Sequence, residues 1–375
     1  MIGLTAIGTL VEVIGASAMM ELDFEDFSLI DCHVHTWMLR ENLDQVTIEK
    51  QGKALVEIIS EGKLSQMYIF DSHTHAPLYL KARYPGTLYA GGFAPWTGGT
   101  ALLPDVDWSK YISRLIQLGY DGIGEMGSKP VTRDMHIPLD SAYYEGLWES
   151  CEELGFPVLC HVGDVEDFWH ERLTPEWAKE RDWGYWEGYY TTLEKLYGEI
   201  ESILFEHPSL KITLCHFLFL SPHLERADEF LGTYPNANLD LSLGVELMYN
   251  ISRRRDDYRE FFIRHDDRIL FGTDIGVSTT LPQHLARINL LRTFLETDEE
   301  FYTPSSADDL LTRYEEPYIG LDLPRASLEK IYSGNFRRYW GNEPRGVNLE
   351  EIITTCEKNG NKVIADAFRK LTKKH

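Results

Sequence analysis

The stretch Ser28-Leu29-Ile30-Asp31-Cys32-His33-Val34-His35 (SLIDCHVH, residues 28–35) decides how the chain is read. An apolar run ends in a polar, histidine-bearing tip, the pattern of a buried strand that surfaces at one end only. Side chains alternate along a strand, so His33 and His35 share a face, with Asp31 one step below them.

Further runs of the same kind follow: Gln66–Asp71, Thr87–Phe93, Gly122–Glu125, Pro157–His161, Lys211–His216, Ala237–Leu243 and Arg268–Thr273. Between them lie segments with helical periodicity, at Glu49–Gly62, Trp108–Leu118, Ser141–Leu154, Tyr189–Phe205, His223–Leu231, Tyr258–His265 and Pro282–Leu295. The connection near Leu78–Arg83 is shorter. Strands alternating with helices imply a parallel sheet with right-handed crossovers. A set of eight such strands closes into an α/β fold of the (β/α)8 TIM-barrel type, with functional residues at the C-terminal strand ends. The rival, an open doubly wound sheet, calls for a glycine-rich phosphate loop, and neither G-x-G-x-x-G nor G-x-x-x-x-G-K-[ST] occurs.

The same logic places more chemistry at one mouth. His161 (VLCHVGD), His216 (ITLCHF) and Asp274 (LFGTDIG) each follow an apolar run and precede a loop, as His33 and His35 do. Imidazoles and a carboxylate gathered at the ends of separate strands suit a divalent cation. Cys32, Cys160 and Cys215 each precede one of these histidines, so alternation turns them toward the helix layer as small apolar residues.

A second D-x-H-x-H, Asp71-Ser72-His73-Thr74-His75, follows the second run. Taking His73 and His75 as the first-strand pair would leave residues 28–62 outside the barrel and only seven strands, so the first pair is preferred. His73 and His75 then lie on the second loop at the mouth, as substrate contacts or as a solvated pair. Trp37 and Arg133 are further candidates for substrate contact.

Composition bounds the partners. The 375-residue chain has 36 Lys plus Arg against 60 Asp plus Glu, a net charge of −24, which repels nucleic acid and anionic membrane surfaces. With 43% hydrophobic residues it is a folded globular chain, and no run approaches a membrane span. Five cysteines without a C-x-x-C pair point to a reducing cytoplasm. Residues 1–27 are expected to be an extension, 28–341 the barrel and 342–375 C-terminal helices packed on its outside. The apolar start lacks an early Lys or Arg and is interrupted by Glu12, unlike a secretory signal. Val165–Gly188, rich in aromatics, reads as a lid over the mouth or as a helical hairpin on the rim. Thr297–Pro324 reads as a surface excursion.

This ordered set resembles the amidohydrolase superfamily, in the amidohydrolase-related branch that includes the aminocarboxymuconate-semialdehyde decarboxylase-like enzymes. The resemblance spans Ser28 to Gly341 and rests on IDCHVH, the strand-end His161 and His216, GTD at Gly272–Asp274, and SGNFRRYWG at Ser333–Gly341. It implies that His33, His35, His161 and Asp274 hold one metal ion, Zn²⁺ first, with Mn²⁺, Fe²⁺ or Co²⁺ also suited to an N/O cage. It implies catalytic roles for Asp274 as proton carrier and His216 as acid–base group, and a homodimer as in many barrels of the branch. Glu125 (GIGEMG) stands where relatives carry a carboxylate or modified lysine that can bridge a second metal; Lys129 lies four residues beyond. Glu125 either touches the metal or anchors a positive group.

The expected reaction is metal-dependent hydrolysis of a C–N or C–O bond in a small organic molecule, an amide, lactam or lactone. The alternative is non-oxidative decarboxylation of an unsaturated or aromatic acid, which would call for a cationic clamp such as Arg133 or Arg172. A non-catalytic binding barrel is the third reading, opposed by the completeness of the set.

Overall fold

The computed structural model describes residues 26–36, 45–71, 74–92, 96–97, 101–102, 106–130, 137–244, 246–276, 280–313 and 316–372. Trp37, His73 and Arg133 lie outside these residues, as does most of the N-terminal extension.

The strands come in the order expected: β1 Ile30–His35, β2 Gln66–Phe70, β3 Leu88–Gly92, β4 Gly122–Ser128, β5 Val158–Val162, β6 Ile212–Leu214 and β7 Ala237–Asp240. The eighth strand is split into Ile269–Leu270, which pairs with β7, and Ile275–Gly276, which pairs with β1. All these pairings are parallel. The nine-membered sheet is therefore an eight-stranded barrel whose last strand, β8, bends between its two halves. The Cys32 N–H donating to the Phe271 carbonyl (3.0 Å) bridges the seam.

Helices form the outer layer where apolar periodicity put them. Trp108–Leu118 matches its expected bounds, is capped by Asp107 accepting from the Lys110 N–H, and ends at Gly119 in the left-handed region (φ 100°). Its apolar stripe buries Ile112, Leu115 and Leu118. The short connection between β2 and β3 is itself a helix, Ala76–Arg83.

The lumen is filled in two storeys. Below, Ile30, Cys32, Tyr68, Phe70, Tyr89, Leu159, Cys215 and Leu270 form one cluster with Phe336 and Trp340. The last two lie on the helix Asn335–Trp340 and stack at 4.7 Å. Asn335 Nδ2 donates to the carbonyls of Asp266 and Ile269 at the foot of β8 (2.7 Å each). This segment seals the base of the barrel. Gly91, Gly122 and Gly124 make room for Tyr68: a Cβ on any of them would come within 3.1 Å of its hydroxyl or ring.

Two cysteines depart from the expected facing. Cys160 lies in the helix-facing core, but Cys32 and Cys215 line the lumen. In β1 the register with β2 shifts between Asp31 and Val34, which resets the alternation. β6 stops at Leu214, short of the expected His216, because His216, Phe217, Leu218 and Phe219 all take positive φ (53–57°). All five cysteines are free and buried.

The insertion after β5 is not a helical hairpin. A 3-10 turn at Glu166–Trp169 and a short helix at Glu176–Lys179 wrap a small core of Phe168, Ala178 and Tyr185. Arg181 ties it to Asp309 (2.7 Å), in the segment after the last barrel helix. That segment is more than a surface excursion, since its Asp308 is buried against Arg287 (2.7 Å). Among the described residues no helix is long and apolar enough to cross a membrane.

Candidate metal centre at the barrel mouth

Above Phe70 the lumen changes character. His33 and His35 pack edge-on against the Phe70 ring (5.2 and 4.6 Å) and turn their Nε2 atoms to within 3.1 Å of each other. Asp274 Oδ1 reaches both, at 3.5 Å from His33 Nε2 and 3.0 Å from His35 Nε2. Glu125, inside β4, comes to 3.9 Å from the first and 3.7 Å from the second. His33, His35 and Asp274 thus aim donor atoms at one small volume, with Glu125 at its edge.

The backbone is shaped for this convergence. Asp274 sits at the bend of β8 in the left-handed region (φ 55°), which swings its carboxylate inward. Gly272 lets β8 approach β1, because a Cβ there would lie 3.1 Å from both Cys32 Sγ and His33 Cβ. Arg287 holds the bend from outside by donating to the Thr273 carbonyl (3.0 Å). Asp31 holds it from below, accepting from the Thr273 hydroxyl (2.5 Å) and N–H (3.1 Å).

A second layer orients the rings. Asp240, at the tip of β7, accepts from His33 Nδ1–H (2.9 Å), which turns His33 Nε2 toward the other donors. Asp240 also accepts from the Ser242 hydroxyl (2.5 Å) and the His216 N–H (2.8 Å). The Ser242 proton being used there, His216 Nδ1–H donates to Ser242, at 3.1 Å from its carbonyl and 3.0 Å from its hydroxyl. His216 therefore presents an unprotonated Nε2. Asp240 and Ser242 escaped the sequence reading, although D-x-S closes its apolar run as H-x-H closes the first.

His161 stands one step out. Its Nδ1 meets Glu125 Oε1 (2.8 Å) and its Nε2 the Gly163 carbonyl (3.1 Å). Its ring nonetheless packs against His216 (4.7 Å). His33, His35 and Asp274 form a close donor group, as do His33, Glu125 and His216; His161 joins through Glu125. His75 is elsewhere: its Nδ1 pairs with the Tyr120 hydroxyl (2.7 Å), a residue of the outer core. Arg172 is exposed. Lys129 engages Asp164 (2.8 Å) over the Trp183 ring and is not in the cage.

The electrostatics are those of a cation site. Burial works to raise the Glu125 carboxyl, but the charge and hydrogen bond of His161, then His33 and His35, hold it well below the carboxylate range. Burial likewise opposes the ionised Asp274, yet His35, His33 and His216 hold it far down. Burial would lower His33, but Asp240 first, then Glu125 and Asp274, push it up to about 10. His216 falls to about 4, through burial and the neighbouring His161. Three carboxylates thus surround imidazoles in a volume that calls for positive charge.

The amidohydrolase family model matches residues 30–341. No curated protein matches the sequence. Among solved structures, an uncharacterised TIM-barrel protein from Bordetella bronchiseptica is 14% identical, over 84% of this chain and 98% of its own, with a TM-score of 0.51. A probable 2-pyrone-4,6-dicarboxylic acid hydrolase from Acinetobacter baumannii, with citric acid bound, is 13% identical over 84% and 100%, with a TM-score of 0.50. A 2,6-dihydroxybenzoate decarboxylase from Rhizobium is 14% identical over 84% and 99%, with a TM-score of 0.47. At these identities the likeness is one of fold.

Proposed function

As the chain belongs to the amidohydrolase family, we propose that this enzyme is a metal-dependent hydrolase cleaving a C–N or C–O bond, in an amide, lactam or lactone, of a small organic substrate. One observation carries the reading: the donor atoms of His33, His35 and Asp274 stand 3.0–3.5 Å from one another. Ligand atoms bound tetrahedrally at about 2.1 Å from one ion lie ~3.4 Å apart, so this donor set fits a divalent cation. His33, His35 and Asp274 would hold it, with Glu125 beside them and His161 acting through Glu125, and the N/O set suits Zn²⁺. When bound, such an ion supplies Lewis acidity and a positive charge against which negative charge can develop.

The remaining work falls to the chain. Asp274, whose side chain is 26% exposed, takes a proton from the attacking water and hands it to the leaving nitrogen or oxygen. His216 offers Nε2 to the same space as a proton acceptor, its tautomer fixed by Ser242. Asp240 holds the His33 ring in register. The insertion after β5 shields the mouth, braced by Tyr185 on Asp164 (2.9 Å).

The test is a screen of lactones, lactams and amides with metal-reconstituted protein in ¹⁸O-labelled water. Label appearing in a product carboxylate, lost on chelation, supports hydrolysis. Release of carbon dioxide from an aromatic acid without label uptake would replace hydrolysis by decarboxylation.

A further inference from the structure

Beyond the cage, one buried acid has no use in the chemistry above. Glu246 lies on the loop after β7, four residues past Ser242, and is 6% exposed. Neither carboxylate oxygen meets a hydrogen-bond partner in another described residue. The carboxylate turns back along its loop, its oxygens 3.2 and 3.4 Å from where a Cβ on Gly244 would stand. It is close enough to the β5 loop for Asp164 and Asp167 to act on it, and to the helix Leu193–Glu206 to act on Tyr197. Tyr197 in turn donates to the Leu218 carbonyl, two residues past His216 (3.2 Å). The carboxylate is thus set among the loops that follow β5, β6 and β7, on the His216 side of the mouth.

A buried carboxyl with no partner is costly and persists where a ligand supplies one. The charges acting on Glu246 are carboxylates, and Lys129 is engaged by Asp164. Such a place complements a cation that carries several N–H donors.

We propose that Glu246 forms a subsite that binds a cationic nitrogen group of the substrate, a protonated amine. The subsite names the substrate class of the mouth and rests on the reading that substrate occupies it. The nearby carboxylates disfavour an anionic group at this end of the substrate. Burial, helped by Asp164 and Asp167, pushes the Glu246 carboxyl up to about 8, in keeping with an acid that awaits a counter-ion.

The experiment measures binding of benzylammonium and of its neutral analogue benzyl alcohol to the metal-loaded protein by calorimetry. About 0.15 M salt screens the acidic surface. Benzylammonium is expected to bind at least about tenfold tighter than benzyl alcohol. Glu246→Gln should erase that advantage, whereas Asp309→Asn, on the exposed strap, should keep it. An advantage over benzyl alcohol that survives Glu246→Gln, or no benzylammonium binding, would each overturn the proposal. None of the probes has a bond to hydrolyse, so the outcome is separate from whether the enzyme is a hydrolase.

Discussion

The chain writes D-x-H-x-H twice, and the two copies meet different fates. Asp31 reaches across the seam to Thr273 on β8, whereas Asp71 accepts from its near neighbour Thr74 (2.8 Å). His35 turns into the lumen toward Asp274, whereas His75 turns out to Tyr120. The first copy ends a strand whose facing neighbours are acids; the second begins a helix. A motif therefore acquires chemistry from what the barrel sets opposite it, not from its spacing.

The largest effect expected is from the first copy. His33→Ala or His35→Ala should empty the site and lower kcat by on the order of 10³-fold or more, read by metal analysis and rate. His75→Gln should leave metal content and kcat near those of the native chain. A metal lost with His75 would erase the contrast.

The next two predictions set against each other a buried acid of the mouth and the buried histidine of the outer layer, whose pH dependences have opposite sign. The Glu246 carboxyl, ordinarily near 4.5, is raised to about 8 in the fold. The folded state holds a proton that the unfolded chain has released, so stability falls as pH rises from 4.5 to 8. Glu246→Gln should remove that fall and raise stability at pH 8 by a few kcal/mol, measured by denaturant unfolding. His75 is lowered from 6.5 to about 4, by burial first and then Arg114. Here the unfolded chain holds the extra proton, so stability is full above pH 6.5 and declines as pH falls toward 4. His75→Gln should flatten that decline, which is worth up to roughly 3 kcal/mol.

The smallest effect belongs to the orienting layer. Asp240→Asn keeps the shape but weakens the hold on His33, so metal affinity should drop about 10- to 100-fold. Unchanged affinity would mean that His33 needs no orienting partner.

Much of this was readable in advance because parallel strands buried on both faces announce themselves as apolar runs. The same runs located His33, His35, His161, His216 and Asp274, since a polar residue closing such a run has only a mouth to enter. What stayed hidden depends on distant partners. The shift in β1 and the left-handed turn at His216 reversed the facing of Cys32 and Cys215, and no local pattern marks either. The bend of β8 at Asp274 is held by Asp31 and Arg287, far apart in sequence. Asp240 was legible by the rule that found the histidines, since it too closes an apolar run. Phe336 and Trp340 read as an ordinary helix face, because nothing in their own segment shows that it faces an open lumen.

The most direct test is the metal content per protomer of the native chain, His33→Ala, and the double variant His73→Ala/His75→Ala. About one ion in the native chain, lost with His33→Ala and kept in the double variant, is the predicted result for a cage at the tip of β1. An ion that survives His33→Ala and disappears from the double variant would contradict it.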